Sequence, residues 1–307
     1  MKKTLILLSI FSFGMLKNHE DKPRREFYTQ DKTVAMTFNA DGNLIAASSE
    51  KSLEVYHTRM GLRLKNLPTG SPIKAIEASP NQPNVIACLD ASNTITFWDI
   101  DKGKVQKKII SKEPILGIQY RQDGREILLN TSKNAVFYNI SVGKKTQIFK
   151  TTNAVLMAYS QATKTLVTTQ PDNSITVWDL ENEKKKHILG KHQGKITHIA
   201  FNKAGTQLVS SSLDKSIKIW DLKSGQETKQ IVYDSPFNFV AYDLDETKLL
   251  TASDDAKTII WNISADTPNI IKQYTGASQT TFVGRHPKEQ ILLSGYGSKT
   301  MQTWLVQ

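Results

Sequence analysis

Apolar and polar positions along the chain alternate over short runs, not over helical turns. Between residues 195 and 233, "KITHIAF", "QLVSSS", "SIKIWDL" and "ETKQIVY" are apolar or β-branched segments of six or seven residues, separated by "NKAG", an aspartate turn and "KSG". Runs this short, bounded by Gly, Asn and Asp, predict four antiparallel strands joined by hairpins. No window sustains a convincing helical period. The unit is therefore a small twisted sheet.

The same order returns down the chain. "SSEKSLEVYH" carries Tyr56, "ASNTITFWDI" Trp98, "SKNAVFYNI" Tyr138, "PDNSITVWDL" Trp178, "SSSLDKSIKIWD" Trp220, "DDAKTIIWNI" Trp261 and "GSKTMQTWLVQ" Trp304. Successive aromatic marks lie 42, 40, 40, 42, 41 and 43 residues apart. Seven copies at a period near 40 indicate a repeat architecture whose units bury their apolar faces against one another.

Four-stranded units of this length with a Trp-Asp mark resemble the blades of the WD-repeat β-propeller family. The resemblance covers residues 24 to 307, and "SSSLDKSIKIWD" is its most typical segment. It implies an all-β, seven-bladed propeller with blades near 33–68, 71–110, 113–150, 153–190, 192–233, 235–274 and 277–307. The Gly-His pair that opens a family repeat survives only as "GKHQGKI" in the fifth unit, and units one and three carry Tyr for Trp. Unit seven ends after its third strand, while "RREFYTQD" precedes unit one without a blade of its own. Residues 24–30 are thus expected to complete blade seven, because an open sheet edge invites association.

Chemistry must be weighed against this repetition. His192, the serines at 210 to 212 and Asp214 have the ingredients of a catalytic triad. Yet six positions before each aromatic mark stand Glu50, Ser92, Ser132, Asp172, Asp214, Asp255 and Ser298, so the aspartate occupies a recurring turn position. A short carboxylate there accepts backbone N–H bonds. The resemblance implies a structural network of His192, a serine, Asp214 and Trp220, with Asp172, Asp255, Trp98, Trp178, Trp261 and Trp304 as its counterparts elsewhere. All five tryptophans fall on the mark, which favours blade packing over ligand stacking.

Other catalytic signatures are missing: no G-x-S-x-G elbow, phosphate loop, G-x-G-x-x-G or H-E-x-x-H. The six histidines fall without a carboxylate at ligand spacing, and the single cysteine, Cys88, allows no disulfide framework. No metal or cofactor is called for. Three Asn-x-Ser matches, at Asn130, Asn139 and Asn262, carry no assigned role, two of them arising from the blade pattern itself.

The charge changes the picture more. The chain has 40 Lys and Arg against 29 Asp and Glu, and between residues 101 and 150 eleven cations face four acids. "KVQKKII", "KKTQIFK" and "EKKKHIL" are the outermost strands of blades two, three and four, which places Lys107, Lys108, Lys144, Lys145, Lys184, Lys185 and Lys186 along one arc of the rim. Edge protection is one reading of these lysines. The other is a docking surface for an acidic partner, an anionic envelope or nucleic acid, although no nucleic-acid motif supports the last.

The N-terminus, "MKKTLILLSIFSFGML", places two lysines before an apolar run, with small residues following. This layout fits a secretory signal better than a membrane span. Residues 1–23 are read as signal peptide and linker, and the protein as periplasmic or secreted, with a cytoplasmic location as the alternative. Propellers of this family serve as rigid platforms for protein partners, contacted through the loops that enter each blade and those between second and third strands. The primary expectation is a non-catalytic interaction scaffold. A cytosolic or nuclear subunit of a ribonucleoprotein or chromatin-type assembly is the second reading, and a catalytic propeller with a channel-centred site the third.

Overall fold

A computed structural model describes residues 22–306, other than Lys51, Ser132, Thr152 and Glu183. The apolar leader segment and the turn position Ser132 lie outside these described residues. Among the described residues, twenty-eight strands form seven antiparallel sheets of four, each built from strands a to d running outward from the axis. In blade five these are Ile196–Phe201, Gln207–Ser212, Ser216–Asp221 and Glu227–Val232. The fold is the expected seven-bladed propeller. No helix among the described residues is long and apolar enough to cross a membrane.

Each blade is covered on both faces, which explains the near-continuous apolar runs of its inner strands. The buried apolar residues fall into seven clusters, each spanning two neighbouring blades. In blade five, Ile217 and Ile219 pack towards blade six, while Leu208 and Trp220 pack towards blade four. The outer strands differ because only their inner portion meets a neighbour. In Lys144–Lys150 every residue is exposed except Phe149. A buried apolar residue near the same point recurs as Leu67, Ile109, Leu189, Ile231 and Tyr274, and pins each outer strand to its blade.

The two ends of the propeller meet in the seventh sheet. Thr280–Arg285, Ile291–Tyr296 and Thr300–Leu305 supply its strands a, b and c. Arg25–Tyr28 pairs antiparallel with residues 300–303 as its strand d, so the N-terminal strand closes the ring. Phe27 takes the pinning position at 1% exposure and meets Tyr56 of blade one edge to face at 5.7 Å.

A polar clasp reinforces this seam. Glu54, wholly buried, accepts the Gln30 backbone N–H at 2.9 Å and the Arg63 guanidinium at 3.0 Å. The Tyr56 hydroxyl lies 2.7 Å from Glu54 Oε2 and 2.8 Å from the Tyr28 carbonyl. Burial, then Glu54, pushes this hydroxyl far above its ordinary pKa, so it keeps its proton. The tyrosine that replaces tryptophan in unit one thus serves the closure, where a phenol reaches groups an indole would not. Between the a–b turns of the same two blades, His286 Nε2 donates to the Gly42 carbonyl at 3.0 Å, and Arg59 in the c–d turn of blade one pairs with Glu289. Gly42 has a φ of 82°, and a Cβ there would overlap the His286 ring.

Because one aromatic side chain pins the closing strand, Phe27→Ala is expected to cost about 3–5 kcal/mol, as for other buried Phe truncations. Urea unfolding measures this loss. A stability within about 0.5 kcal/mol of the parent would show that closure does not depend on Phe27.

Candidate functional site

The triad-like residues do come together in blade five. His192 enters from the loop before strand a, Ser210 lies on strand b, Asp214 in the b–c turn and Trp220 on strand c. The Trp220 indole N–H donates to Ser210 Oγ at 2.9 Å, and Ser210 Oγ lies 2.8 Å from His192 Nε2. His192 Nδ1 lies 2.9 Å from Asp214 Oδ2, which also accepts the Gln193 N–H at 2.9 Å. Asp214 Oδ1 takes both the hydroxyl and the N–H of Ser216, at 2.6 and 2.9 Å.

Protonation follows from these neighbours. Burial lowers the His192 pKa and outweighs the opposing pull of Asp214, so the ring is neutral. Burial also pushes the Asp214 carboxyl upward, but hydrogen bonds from Ser216, His192 and Gln193 outweigh it and bring the group down to about 2. The neutral imidazole then donates from Nδ1 to Asp214 and accepts the Ser210 proton at Nε2. Donors run in one direction from Trp220 to Asp214. Ser210 Oγ is fully buried and already accepts from an indole, so no substrate carbonyl can approach it. The arrangement has the connectivity of a triad but joins the entering loop, the b–c turn and two inner strands.

The other blades hold parts of this circuit. Trp178 donates to Thr168 at 2.9 Å, Trp261 to Thr251 at 3.0 Å and Trp304 to Ser294 at 3.1 Å. The acceptor always stands ten residues before the tryptophan, a spacing visible in the sequence once the partner is known. At that place blade two has Cys88, and the Trp98 indole N–H is buried without a partner. Burial raises the Cys88 thiol well above its ordinary range. In blade six Tyr233 replaces the histidine, and its hydroxyl donates to Asp255 at 3.0 Å. Asp172 is exposed and takes the Ser174 hydroxyl and N–H, at 2.7 and 3.1 Å, which hold its carboxyl below the usual value.

On the rim, Lys108, Lys144, Lys145, Lys185 and Lys186 are exposed and make no ion pair among the described residues. The side chain of Lys184 lies outside those residues. Lys107 is placed differently. Its ammonium donates to the carbonyls of Ile140 and Ser141 in the c–d turn of blade three, the latter at 3.1 Å. Lys229 repeats this strut from blade five to the Ile263 and Ala265 carbonyls of blade six, each at 2.6 Å. The sequence count of basic residues missed this because it depends on the neighbouring blade's turn.

Along the axis, the a strands enclose a channel of about 870 Å³. Among the described residues no group of three or more His, Cys, Asp or Glu is arranged to hold a metal ion.

Seven four-stranded blades, with a Trp–Ser–His–Asp circuit in one and parts of it in others, define a WD-repeat β-propeller, and the chain is a protein of that kind. Residues 183–221, which contain the complete circuit, match the family model described as WD domain, G-beta repeat. The chain is similar to the target of rapamycin complex subunit wat1 of Schizosaccharomyces pombe, 26% identical over 34% of this chain and 33% of that protein. It is also similar to a WD repeat-containing protein of Dictyostelium discoideum, 26% identical over 76% of this chain but 11% of that protein. A putative BTB/POZ domain and WD-repeat protein of Acanthamoeba polyphaga mimivirus matches at 26% identity over 47% of this chain and 29% of its own length. The matched part of each relative is thus a third of its length or less.

Two substitutions test the circuit from opposite directions. Asp214→Ala strands the His192 and Gln193 donors and is expected to lower stability by about 3 kcal/mol, read as a reduced urea midpoint at unchanged slope. Cys88→Thr supplies the missing acceptor for Trp98 at nearly constant volume. It is expected to add about 1 kcal/mol, a rise in Tm of about 2 °C. A fall in Tm would mean that the unpartnered indole is not the weak point of blade two.

Proposed function

We propose that the chain is a non-catalytic protein-interaction scaffold whose basic arc on blades two to four docks an acidic protein partner. One observation carries this reading: the exposed lysines of that arc make no ion pair among the described residues, whereas several cations of blades one, five and six are held within the molecule. Arg63 is held by Glu54 at 3.0 Å, Lys218 by Glu227 at 2.8 Å and Lys257 by Asp255 at 3.1 Å. Exposed apolar residues interleave with the lysines, with Val105, Ile110, Ile148 and Ile188 on the same outer strands. A surface that is both basic and partly apolar offers steering together with area to bury. The WD-repeat character of the relatives, one of them a subunit of a complex by name, supports the scaffold reading. The proposal also places the protein outside the cytoplasm, on the strength of the paired lysines and apolar run at the N-terminus.

The test uses poly-L-glutamate as an acidic probe, followed by fluorescence anisotropy over a range of salt. Changing Lys108, Lys144, Lys145, Lys185 and Lys186 together to Gln should weaken binding by about tenfold or more and flatten its salt dependence. Lys107→Gln should leave binding intact and instead lower stability by about 1–2 kcal/mol, because it removes the strut to blade three. Equal binding by the fivefold variant would overturn the docking surface. For export, mass spectrometry of the mature protein should find Met1 removed with the leader, and an intact Met1 would overturn that location.

A further inference from the structure

The channel contains a carboxyl group that neither the fold nor the proposed docking surface uses. Strand register places Ala75, Gly117, His198, Phe239 and Phe282 at one level of the a strands, each facing an equivalent residue of its strand b. Two residues further along each strand stand Glu77, Gln119, Ala200, Ala241 and Gly284. Glu77 lines the channel and has no hydrogen-bond partner or counter-ion among the described residues. At its level the one other polar side chain in these five blades is Gln119. Both ends of that amide are taken by the Tyr159 backbone, Nε2 donating to the carbonyl at 3.2 Å and Oε1 accepting the N–H at 2.9 Å.

The walls of the channel are unequal. On one side His198 stacks on Phe239 with ring centroids 3.7 Å apart, and Phe239 leans on Phe282 at 4.8 Å. On the other side stand Ala75 and Gly117, and a Cβ added at Gly117 would meet nothing within 4 Å. The result is a lopsided cavity with an aromatic wall, an open wall and one unpaired carboxyl. Its volume of about 870 Å³ is within the range of small-molecule sites.

We propose that the central channel is a binding site for a small organic cation with an apolar body, its ammonium pairing with Glu77 and its body lying against Phe239 and Phe282. A cation satisfies the carboxylate, and the ring faces attract the same positive charge. The other titratable or charged groups on the channel wall are Lys74, Tyr120, Arg121, Tyr159, His198 and Lys203. Arg121 is held by Glu126 at 2.6 Å, and His198 Nδ1 donates to the Val240 carbonyl at 2.9 Å. Burial lowers His198 to about 4, so the ring is neutral and does not repel a bound cation. Burial raises Glu77 to about 8. Binding of a cation must therefore release a proton at neutral pH.

Benzyltrimethylammonium, whose charge does not titrate, is the probe, measured by calorimetry on the full chain in buffers of different ionisation enthalpy. Between pH 6.5 and 7.5 its affinity should rise about tenfold and then level off above about pH 8, with close to one proton released per ligand at pH 7. Benzyl alcohol and phenylacetate, which share the apolar body without the positive charge, should bind at least about tenfold more weakly. Glu77→Gln should abolish both the pH dependence and the proton release. Gly117→Leu, which extends into open space, should abolish binding while the thermal melt stays near that of the parent. Binding that is independent of pH, unchanged in Glu77→Gln, or matched by benzyl alcohol overturns the proposal. If Glu77→Gln fails to fold, the pH profile of the parent and the Gly117→Leu result decide it. The outcome is independent of the rim lysines, so it stands or falls separately from the docking surface.

Discussion

Closure of the ring is the constraint on which the rest of the molecule depends. Every blade buries both faces against its neighbours, so an open first or last blade would leave an apolar face and a strand edge in water. The N-terminal strand removes both defects at once. Arg25–Tyr28 pairs with the last strand of the chain, and Phe27 fills the cluster shared by blades seven and one. Around that contact the local chemistry departs from the repeat, with Tyr56, the buried Glu54 and Arg63 replacing the usual indole and hydroxyl partners. The seam joins residues far apart in the chain, so closure is a long-range contact.

Within this ring one local device is used with varying completeness. In blade five the indole, hydroxyl, imidazole and carboxylate are satisfied in a single direction, which ties a loop and a turn to the inner strands. Blades four, six and seven keep the indole-to-hydroxyl step, and blade six recruits Tyr233 to reach its aspartate. Blade two loses even that step, because the sulfur of Cys88 stands where an oxygen is needed and the Trp98 N–H is left without a partner. The variation costs little in fold because packing between blades, repeated seven times, carries most of the burial. It leaves individual blades free to diverge at loops and outer strands.

That freedom is visible in the two regions where the repeat does not dictate residue type. The outer strands need one pinning residue, so the remaining positions of blades two to four accept lysines without harm to the core. The a strands face a channel instead of a neighbour, so Ala75, Gly117, His198, Phe239 and Phe282 differ at equivalent positions. Both regions follow the blade geometry in backbone but not in chemistry, and both functional proposals rest on them.

The period of about 40 residues, the four-strand units and the aspartate turns were legible in the chain because they repeat, and repetition separates architecture from accident. The need for a closing strand was legible too, since unit seven is one strand short and the segment before unit one has strand character. The triad-like group in "SSSLDKSIKIWD" could be recognised as a repeated turn, yet its direction of donation depended on the burial of His192 and the contact with Trp220. Lys107 could not be told from Lys108 by sequence, because its carbonyl acceptors belong to the next blade's turn. Nor could Glu77 be seen as lacking a partner, since neighbouring residues along the strand say nothing about which side chains from the other six blades face it across the axis. The repeat, the strands and their order follow from the residues along the chain. Which polar groups are held and which are left over follows from packing in three dimensions, because it depends on contacts made across blades instead of along the chain.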